Sequence, residues 1–443
     1  MICLGSHGLD INIAPLSAAG VLLAPHIACT LPLGQVHLVH GDNGVGKSTL
    51  LRKVSLALGA QAQLYKPEHG LRDELLLIQH AAQILAMHRV PTQRGHALLE
   101  QLGLGDWAHE RIGTLSSGQR ARLGLLHWCV QPAPVWLLDE PLNNLDANGR
   151  MLLLGMIQHH LDQGGVVLMA THLDWPELHT RCGSNRIATL RLQQGQLQAD
   201  AFASHLNPQR TPHTQQSVCF DVPRAAPWSA LFMRQLAVWW AQPQQVLWGA
   251  LFHWMVLAFF GMGLNKPDPQ VVFVAVWVSF LLALMLNAKD WFADDVRVRW
   301  LAELQAFEPR TLGRYWLATV AIQAALHMVV MLPVTGLAAL QFGLGASQAM
   351  ALCVALLLAV WAVAPLLGML SVLVLLTRGG AVLVYLLALP LVVPALLFGL
   401  EATRASLLGR SPEAPLLVLF ALGALLYLIG PVVARRLFEL IQE

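Results

Sequence analysis

No Phe, Tyr or Trp precedes Tyr65, so the stretch upstream of it offers no ring on which a base could stack. Cysteine is scarce too. Cys3, Cys29, Cys129, Cys182, Cys219 and Cys353 fall at no metal-type or disulfide spacing, and buried reduced thiols are expected. The formal charge is only +2, which removes the electrostatic basis for a nucleic-acid partner. The N-terminus has no basic patch followed by a short apolar run, so a cleaved signal is not expected.

What is present begins with a glycine-rich loop. Gly41-Asp42-Asn43-Gly44-Val45-Gly46-Lys47-Ser48-Thr49 fits G-x-x-x-x-G-K-[ST] in full. Val36 to Val39 reads as a short buried strand before it, and Leu50 to Leu58 as a helix after it. In that setting the backbone N–H groups close on phosphates, Lys47 neutralises the terminal phosphates and Ser48 holds Mg²⁺. Four further stretches follow in order. Leu115-Ser116-Ser117-Gly118-Gln119 is nearly L-S-G-G-Q. Val135 to Leu138 is an apolar strand that runs into Asp139 and Glu140, the first suited to Mg²⁺ and the second to a general base for the attacking water. Leu142-Asn143-Asn144-Leu145-Asp146 comes next, and the apolar run Val166 to Ala170 ends at Thr171-His172.

In this order the stretches resemble the ATP-binding-cassette (ABC) ATPases. The resemblance implies that His172 contacts the γ-phosphate, and that Ser116 and Gly118 close on ATP held by a second copy. With one cassette per chain, a homodimer is expected. The glutamine of that family's mid-domain loop is best matched by Gln79, in Leu75-Leu76-Leu77-Ile78-Gln79-His80, where it would serve catalysis and Mg²⁺. The short interval from Gln79 to Leu115 predicts a trimmed helical subdomain.

Composition divides the chain into an ATP-binding α/β domain (1–205), a polar, proline-containing linker (206–227) and an all-α membrane domain (228–443). Arg186 to Gln198 reads as closing strands with a turn at Gly195. Trp228 to Ala241 mixes apolar and polar positions at helical spacing and suits a helix at the membrane interface. Six apolar runs follow, at about 245–264, 269–288, 315–340, 349–376, 381–400 and 415–434, each able to cross about 30 Å of hydrocarbon. Pro333 and Pro365 mark places where the third and fourth can bend. A cassette on the side where ATP is found puts both it and the C-terminus in the cytoplasm of a plasma (bacterial inner) membrane. Basic residues agree: Lys289, Arg297, Arg299, Arg310, Arg314, Arg378, Arg435 and Arg436 lie on that side, against Lys266, Arg404 and Arg410 on the other. The loop from Lys289 to Arg314 holds ten of the 22 charged residues after position 228, and reads as a coupling helix that meets the ATPase.

The order of domains resembles the second class of ABC exporters. Asp294-Asp295 with Leu301-Ala302-Glu303-Leu304 resembles their cytoplasmic D-G-x-L-E-x-L loop, with Arg299 in place of the glycine. Thr377-Arg378-Gly379-Gly380 and Leu389-Pro390-Leu391-Val392-Val393-Pro394 resemble the membrane subunit of the cytochrome c maturation transporter (CcmB), and Gly34-Gln35-Val36 with the phosphate loop resembles its ATPase subunit (CcmA). The resemblance implies a fusion of the two that hydrolyses ATP in haem handling. It implies haem as cargo, or release of a haem-loaded chaperone (CcmE) from partners resembling CcmC and CcmD. His253 and His327, inside spans, are candidate iron ligands. Glu401, Arg404, Arg410 and Glu413, on the far side, are candidate chaperone contacts. A general exporter of lipid, drug or polysaccharide and an ATP-binding scaffold without turnover are the alternatives; Glu140 and His172 speak against the scaffold.

Overall fold

The structure is a computed structural model. It describes every residue except Met1, 6–7, 14–15, 19–20, 25–26, Asn43, 66–69, 131–132, Asp174, 194–195, 200–225, 264–267, 305–306, Pro309, 378–380 and Glu443. The expected linker at 206–227 therefore lies outside the described residues but for its last two, as do the turn at Gly195, Lys266 and the Arg378-Gly379-Gly380 stretch. The chain forms two compact units, one of Met1–Pro227 with Val298–Pro309 and one of Trp228–Arg297 with Arg310–Glu443.

In the first unit, β1 (Ile2–Leu4), β2 (Gly8–Ile13) and β5 (Ile27–Pro32) make an antiparallel sheet in that order, and β3 (Leu16–Ala18) pairs with β4 (Val21–Ala24). A six-stranded sheet combines β6 (Val36–His40), β7 (Ala62–Tyr65), β8 (Val135–Asp139), β9 (Val166–Ala170), β10 (Ile187–Gln193) and β11 (Gln196–Ala199) in the order β11-β10-β6-β9-β8-β7. All its pairs are parallel except β10 with β11. β8 and β9 are buried along their whole length, which is why they read as unbroken apolar runs rather than alternating ones. Leu50, Leu51, Val54 and Leu58 place one face of α1 (Lys47–Leu58) in the core between the two sheets. Around this core lie α2 (Leu77–Met87), α3 (Gly95–Gln101), α4 (Ser117–Leu123), α5 (Leu126–Val130), α6 (Ala147–Asp162) and α7 (Pro176–Cys182).

The second unit is helical. α8 (Trp228–Ala241) is a helix with the bounds expected of that stretch. α9 (Gln244–Gly263), α10 (Pro269–Ala288), α13 (Arg310–Gln341), α14 (Ala346–Leu376), α15 (Ala381–Leu407) and α16 (Glu413–Gln442) are long and apolar enough to cross a membrane. Two short helices, α11 (Ala293–Arg297) and α12 (Trp300–Leu304), occupy the charged loop; α12 belongs to the first unit. Pro333 and Pro365 lie inside α13 and α14, which continue through them.

Two kinds of contact fix the helices of the second unit. Arg234 of α8 grips Asp295 of α11 with both terminal nitrogens, at 3.0 and 2.5 Å, and Tyr315 of α13 donates to the same carboxylate. The pair is buried and bidentate, the geometry a buried ion pair needs to offset its desolvation. The second kind is a glycine notch for a tryptophan. A Cβ on Gly399 would come within 2.0 Å of Trp277, and one on Gly430 within 2.2 Å of Trp316. Small residues that admit a large neighbour are what membrane helices use to pack closely. Gly430→Leu is accordingly expected to destabilise the unit by about 1–3 kcal/mol. Thermal unfolding in detergent measures this, and an unchanged midpoint would mean that the Trp316 notch carries no packing energy.

Candidate nucleotide site

The parallel order β6-β9-β8 brings three strand ends together at the carboxyl edge of the sheet, where ligands bind in open α/β folds. From β6 emerges the phosphate loop, from β8 Asp139 and Glu140, from β9 Thr171 and His172. Gly44 and Gly46 of the loop have φ of +82° and +107°, conformations that side chains other than glycine adopt at a cost. Asn43 lies outside the described residues. Lys47 is buried and donates to the carbonyls of Gly41 at 2.6 Å and Asp42 at 3.1 Å. Val45 and Thr49 are half-buried, whereas Asp42, Gly44 and Ser48 are exposed.

Ser48 Oγ donates to Asp139 Oδ1 at 2.9 Å, across 91 positions of sequence. A hydroxyl and a carboxylate thus meet beside the loop, an all-oxygen donor set of the kind Mg²⁺ takes. Glu140 sits at φ +49° with its N–H donated to Ala170 O at 2.9 Å, so the turn after β8 is tied to β9. Its carboxylate has two partners: His172 Nδ1 lies 3.3 Å from Oε1, and Asn143 Nδ2 donates to Oε2 at 2.5 Å. Both oxygens are oriented by neighbours, a base held in place rather than free to rotate.

The L-S-S-G-Q stretch is the start of α4. Ser116 caps it, its Oγ accepting from Gln119 N at 3.3 Å while Gln119 Oε1 accepts from Ser116 N at 2.9 Å. Ser116 and Ser117 are exposed, Gly118 and Gln119 half-buried, and Leu115 buried. A Cβ on Gly118 would meet Asn144 O at 3.4 Å, so the stretch lies against the Leu142–Asp146 turn. Asp146 caps α6 by accepting from Gly149 N at 2.8 Å.

Gln79 does not take the place expected of it. It is expected in a loop, yet Leu77 begins α2, and Gln79 is the third residue of that helix, with Oε1 accepting from Leu76 N at 3.1 Å. The oxygen that was to face Mg²⁺ serves a helix end instead. The strand that does precede the helical subdomain is β7, and the segment after it, 66–69, lies outside the described residues. Asn143 was missed by the sequence reading as a Glu140 partner. Its signal is faint: a third position after the acid, in a turn where Asn143 N donates to Glu140 O at 3.1 Å.

The two span histidines are already occupied. His253 Nδ1 is 2.9 Å from Ser279 Oγ and Nε2 is 3.0 Å from Thr335 Oγ1. His327 Nδ1 is 2.6 Å from Gln323 O and Nε2 is 3.1 Å from Asn287 Nδ2. No group of three or more His, Cys, Asp or Glu able to hold a metal ion occurs among the described residues.

The phosphate loop, the paired acids and the histidine at one sheet edge define an ABC-type ATPase, and the family model described as ABC transporter matches residues 25–143. A second, described as CcmB protein, matches residues 227–436. The ATPase part is 33% identical over 171 residues to the Cytochrome c biogenesis ATP-binding export protein CcmA of Bartonella henselae, covering 34% of this chain and 82% of that one. It is 33% identical over 178 residues to the protein of the same name from Cereibacter sphaeroides, covering 38% and 84%. The chain belongs to the CcmA family through its ATPase part and carries a CcmB domain behind it, a CcmA–CcmB fusion of the cytochrome c maturation system. It is an ATP-hydrolysing, multi-pass ABC transporter of cytochrome c biogenesis.

Proposed function

We propose that ATP hydrolysis by this chain drives the release of a haem-loaded chaperone from its membrane partners, rather than the passage of haem through the spans. The observation that carries this reading is the state of His253 and His327, the only histidines after position 228. Each has both ring nitrogens engaged by neighbouring groups, so neither offers iron an axial ligand without breaking a buried hydrogen bond. The partners released would be those the family resemblance implies, of CcmC, CcmD and CcmE type.

The mechanism follows from the cassette. Two copies pair, each offering Ser116, Ser117 and Gly118 to the ATP held by Gly41–Thr49 of the other. Lys47 exchanges the carbonyls of Gly41 and Asp42 for terminal phosphate oxygens. Mg²⁺ held by Ser48 and Asp139 supplies charge neutralisation on those phosphates when bound. Glu140, steadied by Asn143 and His172, accepts the proton of the attacking water. Loss of the γ-phosphate opens the pair. The ATPase unit and the C-terminus face the cytoplasm of the bacterial inner membrane, in keeping with the positive-inside bias.

Haem titrated into the purified full chain in nanodiscs tests the cargo. The expected result is no stoichiometric Soret shift, and wild-type spectra from His253→Ala and His327→Ala. A six-coordinate haem spectrum that vanishes in either variant would overturn the release reading in favour of haem passage.

A further inference from the structure

The segment Val298–Pro309 packs as part of the ATPase unit, although the helices on either side of it in the chain, α11 and α13, belong to the other unit. Its contact face is apolar: Trp300, Leu301, Leu304 and Phe307 are all buried. Gly70 admits it. The Gly70 N–H donates to Val298 O at 2.6 Å, and a Cβ on Gly70 would press Glu303 Cγ at 3.1 Å and Trp300 at 3.3 Å. In the middle of this apolar face sits one acid, Glu303. Its Oε2 is 3.5 Å from Nε2 of His127 on α5, and the two side chains are only 12% and 8% exposed. His127 Nε2 is buried and has no hydrogen-bond partner among the described residues, so the Glu303 carboxyl is the polar group that faces it.

We propose that Glu303 is a positioning residue that seats this segment as an uncharged carboxylic acid, its proton directed at the lone pair of the facing His127 Nε2. This deepens the function proposed above and rests on it, because the segment belongs to the ATPase unit while the chain on both sides of it belongs to the helical one.

The alternative is an ion pair, and the surroundings oppose it. Among the described residues, the titratable groups that act on His127 are His88, which ends α2, and His80 on it. The His88 ring lies 5.9 Å from the His127 ring and 4.8 Å from Phe307. Burial alone pushes the Glu303 carboxyl up to about 8. Burial, followed by His88 and His80, holds His127 well below the ordinary histidine range. Both groups therefore favour their neutral forms, and a neutral donor facing a neutral acceptor avoids the desolvation of two buried charges. The proton count follows. Free of the contact, Glu303 ionises near its ordinary 4.5; seated, it stays protonated up to about 8. Seating takes up one proton in that window, so the contact loosens as pH rises through it and tightens as pH falls.

Amide hydrogen exchange of residues 300–304 in the full chain in nanodiscs, with ATP hydrolysis measured alongside, tests this. Wild type is expected to lose protection as pH rises to about 8. Glu303→Gln, which keeps a neutral donor of the same size, is expected to match wild type at acid pH and to lose that pH dependence. Glu303→Ala leaves His127 Nε2 facing no polar group and is expected to be about tenfold less protected than wild type at acid pH, with no pH dependence of its own. A Gln variant as unprotected as the Ala variant would establish an ion pair and overturn the proposal, as would wild-type protection that is flat across the window. A wild type that fails to hydrolyse ATP would sink the functional reading, while the exchange data would still decide the state of Glu303.

Discussion

Glu140→Gln lowers ATP turnover by about 10²- to 10⁴-fold while leaving ATP binding in place. The amide keeps the size and shape of the carboxylate. Its oxygen still accepts from Asn143 Nδ2, now 2.5 Å from Glu140 Oε2, and the backbone tie from Glu140 N to Ala170 O is untouched. Lys47, Ser48 and Asp139 keep their own contacts, so the phosphate site stays assembled. What the variant loses is the ability to take a proton from water. The expected product is a pair of copies locked on unspent ATP, since the γ-phosphate that joins them is not cleaved. Phosphate release and size-exclusion chromatography with ATP measure the two halves of this expectation. Equal phosphate release by wild type and variant would remove Glu140 from the reaction. A variant that stays single with ATP would remove the pairing.

Several features of this molecule were legible from sequence because each is forced by a strong local constraint. Six apolar runs had to be spans, since a bilayer core demands about 20 apolar residues per helix. Hydropathy did not set their ends. α16 runs on to Gln442, beyond its apolar stretch, and Arg435 and Arg436 both pair with Glu439 across a helical turn there. The phosphate loop was legible because lysine, hydroxyl and glycines at fixed spacing have few other uses. Leu75 to Ile78 was not: four consecutive apolar residues carry neither period, and the helix that starts at Leu77 turned a supposed loop glutamine into a capping side chain.

Contacts between distant positions were the least legible. Charge pattern marked 289–314 as a loop with a task, yet nothing in it pointed to His127. That pairing is visible only once α5 and α12 are placed. The grip of Arg234 on Asp295 is of the same kind, 61 positions apart and visible only once α8 and α11 are placed. Asn143 is intermediate. It is near Glu140 in sequence, but the turn that follows the left-handed Glu140, closed by Asn143 N on Glu140 O, is what sets its amide against the acid.

Lys47→Ala is expected to abolish covalent haem attachment to cytochrome c in a deletion strain complemented with the variant, while haem synthesis continues. Lys47 is buried at the base of the phosphate loop and spends its protons on two loop carbonyls. Those bonds hold the ammonium where phosphate oxygens arrive, so ATP meets a charge already in position. Each charge-assisted hydrogen bond it makes to phosphate contributes about 1.5–3 kcal/mol. Losing two therefore weakens ATP binding by at least about a hundredfold. The absence of an aromatic ring upstream of Tyr65 sharpens the effect, because no base-stacking contact there compensates for lost phosphate contacts. The loop itself survives, since its left-handed turns belong to Gly44 and Gly46 rather than to the lysine. Staining of membranes for covalent haem reads the outcome, with free haem assayed in the same cells. Normal holo-cytochrome c would mean that maturation in those cells does not draw on this cassette. Lost holo-cytochrome together with lost free haem would place the defect in haem supply instead.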